Sequence, residues 1–274
     1  MKFYWAKEDI MLEWIIYPPL GVVVGIIAGL LGIGGGVVVV PILVFVFTAQ
    51  GFPAHHMMQI ALATSLGSIV FTSVASFMTH HKHGAVRWDI VKGITLGILI
   101  GTFSGTWFAA QLSTKALKIF FACFLYYVAA TMLSNFKPKP SRQLPGLLGM
   151  NGVGVVIGVI SSLVGIGGGA LSIPFMMYCN VPVHHAIGTS AAIGFPIAVA
   201  GTVGYILNGL SIADLPTPHL GYLYIPALFG IAFFSFFTAP FGAKLAHKTP
   251  VLTLKRIYAV FLIVIATRIL WGAL

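Results

Sequence analysis

The 274 residues are 58% hydrophobic and only 7% charged, with a formal net charge of +10. A soluble domain is about 25% charged, so this chain cannot clothe a water-facing surface, and its apolar residues gather in helix-length blocks of the kind that cross membranes. The positive excess sits in short loops between those blocks, where it sets topology; no basic stripe interleaved with aromatics is present that would bind nucleic acid.

Residues 1–13 contain Glu8, Asp9 and Glu13 in place of a plainly basic start, which argues against a cleavable signal peptide. Apolar blocks follow at 14–48, 57–79, 90–112, 116–134, 146–180, 184–207, 220–244 and 252–272. Cys123 and Cys179 each lie inside or beside a block, and two lone thiols make neither a disulfide framework nor a metal motif.

The first block is interrupted by GIGGG at 32–36. Such a run costs a helix about 1 kcal/mol per glycine relative to alanine, so the helix is expected to break there, leaving arms of 18 and 12 residues. The shorter arm reaches only about 18 Å, well under a hydrocarbon core of about 30 Å, which predicts a re-entrant hairpin. Broken backbone inside a bilayer is tolerated only when buried in protein or lining a wet cavity. The helix that restarts beyond the turn aims free N–H groups and a positive dipole end at that cavity. Without Cβ atoms, an anion can approach the main chain closely. The N–H groups of Gly34, Gly35 and Gly36 are therefore candidates for holding an anion's oxygens. Packing through small residues is the competing account, and it suits Gly21-x3-Gly25-x3-Gly29 and Gly97-x3-Gly101-x3-Gly105 better.

Thr64 and Ser65 stand in the next, otherwise apolar block. Their hydroxyls can serve a polar ligand or bond back to a carbonyl one turn earlier. The loop at 80–92 holds His80, His81 and His83, but no Cys, Asp or Glu ligand stands near enough in sequence to make a metal site expected. The segment 134–145 reads SNFKPKPSRQLP, a solvated linker. It divides the chain into a first half at 1–134, a cytoplasmic linker at 135–145 and a second half at 146–274, together one membrane domain.

Beyond the linker the pattern returns. GIIAGLLGIGGGVVVVPIL at 25–43 is matched by GVISSLVGIGGGALSIPFM at 158–176, so Gly167, Gly168 and Gly169 repeat Gly34 to Gly36. Pro53 and His55-His56 correspond to Pro182 and His184-His185, and ALATS at 61–65 to AIGTS at 186–190, which places Thr189 and Ser190 opposite Thr64 and Ser65. Gly84 and Asp89 pair with Gly209 and Asp214. Charge reverses between the copies: the loop at 80–92 has Lys82, Arg87 and Lys92, while its counterpart at 208–220 has Asp214 and no Lys or Arg. Reversal of this kind marks inverted repeats with an odd number of crossings each. The expected fold is thus all-α and polytopic, each repeat being a Gly-broken re-entrant hairpin plus about three transmembrane helices. Loops 80–92, 134–145 and 244–256 would be cytoplasmic and both termini outside.

All five acidic residues fall at or outside the edges of the apolar blocks. A cation carrier or proton relay usually buries a carboxylate, so the expected cavity is neutral or positive and suits an anion. No GxSxG, HExxH or Walker motif occurs, which leaves neither hydrolysis nor ATP-driven transport a foothold. No cofactor or metal is expected.

The doubled pattern resembles the TauE/SafE family of sulfite and organosulfonate exporters. It is carried by GLLGIGGGVVVVP at 29–41 with ALATS at 61–65, and by SLVGIGGGALSIP at 162–174 with AIGTS at 186–190. The resemblance extends over about residues 14–272. It implies a multi-pass protein of the cytoplasmic membrane that exports a sulfur-containing anion such as sulfite, sulfoacetate or a related sulfonate. Ala63 stands where the second copy has Gly188, and four extra residues precede Ala61, so the half-sites need not be equivalent. The expected partners are a small anionic substrate and the lipid bilayer, and a homo-oligomer is compatible with these features. An anion channel, or a carrier of another small anionic metabolite, is the alternative reading.

Overall fold

A computed structural model describes residues 7–31, 36–134, 142–248 and 251–272. Among these residues the chain forms ten helices and one short β-hairpin. The first half contributes α1 (Lys7–Leu31), α2 (Gly36–Ala49), α3 (Met57–Lys82), α4 (Trp88–Gln111) and α5 (Thr114–Leu133). The second contributes α6 (Leu147–Val164), α7 (Gly169–Tyr178), α8 (Val183–Gly209), the strands β1 (His219–Leu220) and β2 (Leu223–Tyr224), α9 (Ile225–Lys248) and α10 (Val251–Trp271). Six helices are long and apolar enough to cross a membrane over described residues: α3, α4, α5, α6, α8 and α9.

Both Gly-rich blocks split into two helices, as expected from their glycines. The long arms differ from expectation. Helix α1 has 25 residues and starts at Lys7, so Glu8, Asp9 and Glu13 belong to its first turns instead of lying outside it. The short arms, α2 with 14 residues and α7 with 10, rise only about 21 and 15 Å. Each hairpin is closed on itself. The Tyr17 hydroxyl on α1 donates to Gln50 just past α2, at 2.6 Å. Asn180, just past α7, donates to the carbonyl of Arg142, which precedes α6, at 2.9 Å. The end of each short arm thus lies beside its long arm or the segment leading into it.

Further contacts sort the loops onto two ends. At one end Thr114 donates to the His55 carbonyl at 2.7 Å, and Gly272 lies with His55, Lys115 and Lys118 around a cavity of about 400 Å³. At the other end Ala85 meets His185 at 3.2 Å, beside Lys82 and Arg87. This alternation is consistent with the inverted-repeat expectation. One proposed correspondence does not hold: Asp89 lies in the first turn of α4, whereas Asp214 lies in the loop before β1. The segment containing the β-hairpin lengthens the second copy between α8 and α9, so sequence spacing could not align these two acids.

The halves interlock through small residues. Helices α4 and α6 run parallel; side chains at Gly97 and Gly101 would begin 2.1 Å from the Asn151 carbonyl oxygen and 2.2 Å from that of Val155. Helices α1 and α9 do the same, with Gly21 against Gly230 and Gly25 against Ser235. Lipid offers no hydrophobic drive between helices, so such close backbone approach supplies the dispersion energy instead. Helices α3 and α8 cross antiparallel at the centre, where Gly201 meets Leu66 and, further along, the Phe77 and Phe195 rings lie 5.9 Å apart.

Gly101→Leu is expected to force α4 from α6 and lower stability by about 1–3 kcal/mol or more, read as a fall in the melting temperature of the detergent-purified protein. In a chain with Cys123 and Cys179 replaced by alanine, single cysteines at His83 and Lys115 are expected to react with a membrane-impermeant maleimide from opposite sides of the membrane.

Candidate functional site

The second Gly-rich turn is described in full. Helix α6 ends at Gly165, with φ +70°, and α7 is capped by Gly168, with φ +77°. Both angles lie in the left-handed region, which side chains resist. The Ser161 carbonyl accepts the N–H groups of Gly165 at 2.8 Å and Ile166 at 3.1 Å, and the Gly168 carbonyl accepts those of Leu171 and Ser172. Among the described residues, the N–H groups of Gly167, Gly168 and Gly169 find no acceptor. They open at the positive end of α7, inside the protein.

The first turn meets the second. A side chain at Gly36 would start 2.6 Å from the Gly165 carbonyl oxygen and 2.9 Å from Ile69. Gly34 and Gly35 lie outside the described residues. The structure thus brings Gly36 together with Gly165 and Ile166, beside α3 and within reach of α8, where Gly167 packs on Gly194.

The four hydroxyls are buried at the centre: Thr64, Ser65 and Thr189 at 0% exposure and Ser190 at 5%. None bonds back to its own helix. Ser65 donates to the Gly165 carbonyl at 2.8 Å, so a side chain of the first half satisfies the broken backbone of the second. Thr64 accepts the N–H of Tyr224, immediately before α9, at 3.2 Å. Thr189 accepts the N–H of Arg87, immediately before α4, at 2.9 Å. Matching threonines therefore latch the start of a helix from the opposite half. Ser190 accepts from Ser172 at 2.9 Å. Sequence reasoning offered these hydroxyls a polar ligand or a carbonyl one turn earlier; the structure instead gives three of them backbone partners in the opposite half.

The residues missed at sequence level are Ser161, Ser172 and Thr102. The hydroxyls of Ser161 and Thr102 are fully buried without a partner. Leaving a buried hydroxyl unpaired costs about 1–3 kcal/mol, so each such group needs a reason. A signal existed: the second copy reads Ser161-Ser162 and Ser172 where the first has Ala28-Gly29 and Val39.

The end near the β-hairpin is sealed over the site. Tyr17 and Tyr224 are fully buried, with ring centroids 5.9 Å apart, and Tyr224 packs edge-on to Phe47 and Phe52. His56 stacks near Tyr222, and burial, then the neighbouring His55, hold its pKa below the ordinary imidazole value against the pull of Asp214. At the opposite end the Arg87 guanidinium pairs with Asp89, and among the described residues no carboxylate bonds to the turn.

A family model described as sulfite exporter TauE/SafE matches residues 17–269. A "Probable membrane transporter protein" of Haemophilus influenzae is 37% identical over 249 residues, covering 90% of this chain and 94% of its own length. One of Methanocaldococcus jannaschii is 30% identical over 86% of this chain and 89% of its own length. One of Bacillus subtilis is 26% identical over 95% of this chain and 98% of its own length. No solved structure matches.

Thr64→Val and Thr189→Val each leave a buried N–H without its acceptor and are expected to lower stability by about 1–3 kcal/mol, whereas Thr→Ser at either position keeps the bond. Denaturant titration of the purified variants measures the difference.

Proposed function

Because the chain belongs to the sulfite exporter TauE/SafE family, a family of multi-pass membrane transporters to judge by its relatives' names, we propose that it is a secondary carrier that exports a small sulfur-containing anion across the cytoplasmic membrane by alternating access. The observation that carries this reading is the set of open N–H groups at Gly167 to Gly169, aimed from the start of α7 into a carboxylate-free interior. Oriented donors fixed in a low-dielectric setting bind an oxyanion without reorganising. The corresponding N–H groups at Gly34 to Gly36 form the partner half-site. The hydroxyls of Thr64, Ser65, Thr189 and Ser190 border both, and each except Ser65 keeps a hydroxyl hydrogen uncommitted to any described acceptor.

Carriage by alternating access is favoured over a standing pore by the burial of every described candidate residue. Rocking one half against the other would break the Thr64–Tyr224 latch at one end or the Thr189–Arg87 latch at the other, exposing the turns to one side at a time. The Lys- and Arg-rich loops at 80–92, 134–145 and 244–256 orient the protein with those loops in the cytoplasm. Bilayer and small anion are then its partners, and the chemistry needs no cofactor.

Gly167→Ala tests this reading at a place where the fold tolerates the change, since the added methyl would meet Ile69 at 3.4 Å and Gly194 at 3.6 Å, both ordinary contacts. The variant should keep its melting temperature while its affinity for sulfite falls about tenfold, because the added methyl holds the anion off the main chain and costs about one bond to a charged group, ~1.5 kcal/mol. Proteoliposome uptake of sulfite should saturate and be accelerated by sulfite on the other side. Non-saturating flux without such acceleration would mean a channel. Absence of any melting shift with sulfite, methanesulfonate, sulfate or thiosulfate would discard the anion reading altogether.

A further inference from the structure

We propose that the two half-sites are chemically unequal, and that Ser161 of the second copy donates a hydrogen bond to the oxyanion directly, a contact that has no counterpart in the first copy. This rests on the anion-carrier reading above and assigns the binding group within it. Two observations fall at the second turn, and a third falls in the helix that the turn starts. The Ser161 hydroxyl is fully buried with no partner, and it lies 3.5 Å from the point where a side chain at Gly168 would begin. The N–H groups of Gly167, Gly168 and Gly169 are open there among the described residues. Ser172, in the first turn of the same ten-residue helix, spends its own proton on Ser190, which frees the Ser190 hydroxyl hydrogen.

The first copy cannot reproduce this set. Ala28 and Val39 stand at the positions of Ser161 and Ser172. Its remaining equivalent, Ser65, is committed to the Gly165 carbonyl. One serine of the matched pair thus pins the turn while the other faces the ligand.

A hydroxyl that lacks a protein partner contributes nothing to the empty fold, and this separates a ligand group from a structural one. Detergent-purified protein is titrated calorimetrically with sulfite and with methanesulfonate. Ser161→Ala should leave the melting temperature of the ligand-free protein unchanged or raised, and weaken both anions by about 10- to 100-fold, the range for a hydrogen bond to a charged group. Ala28→Ser should bind both anions as the wild type does. Wild-type binding that persists unchanged in Ser161→Ala overturns this inference and leaves the carrier reading standing. Ser161→Ala that loses ligand-free stability, or fails to fold, overturns it too, because the hydroxyl would then have a structural partner. A wild-type protein that binds neither anion removes the carrier reading and this inference with it.

Discussion

A peptide group without a partner inside a bilayer is expensive, and the described part of the molecule is organised around one place where the chain creates such groups. The glycines that end α6 and restart the chain as α7 leave carbonyls and N–H groups buried inside the protein. The Gly165 carbonyl is answered by Ser65 from the other half. Its companions, the N–H groups at Gly167 to Gly169, are left open. Acceptor answered and donors free, the described part of this turn presents N–H groups to the interior.

Everything else holds that centre still. Parallel glycine stripes clamp α1 to α9 and α4 to α6, so each half lays one helix along a helix of the other. Threonine latches then fix the depth at which α4 and α9 begin. Aromatic rings from α1, α2 and β2 close one end. A rigid surround matters for anion recognition, because donors fixed in advance bind more tightly than donors that must be gathered.

Much of this was legible in the sequence. The helix breaks followed from glycine's conformational cost, the hairpins from arm length, and the packing role of Gly97 and Gly101 from their spacing alone. Burial of Thr64, Ser65, Thr189 and Ser190 followed from their apolar surroundings. Their partners did not, because a latch between Thr64 and Tyr224 joins residues 160 apart in the chain and no local pattern encodes it. The start of α1 was missed because hydropathy registers only what lipid touches, and the helix begins at Lys7, ahead of the apolar block. Asp89 and Asp214 looked equivalent because their offset nearly matched that of the motifs before them, and only the hairpin between α8 and α9 reveals that the alignment had slipped.

The glycine stripes carry a lesson about descent. A solitary ancestral copy, with counterparts only of α1 and α4, would have exposed both stripes to lipid. On the inverted-repeat reading it could bury them against a second copy inserted upside down, as α1 packs on α9 and α4 on α6 here. Such an ancestor would have been an antiparallel homodimer, its two turns identical by necessity. Fusion into one polypeptide released that symmetry. Only afterwards could Ser161 arise on one side while Ala28 stood on the other, letting one gene product evolve a polarity that no pair of identical chains could hold.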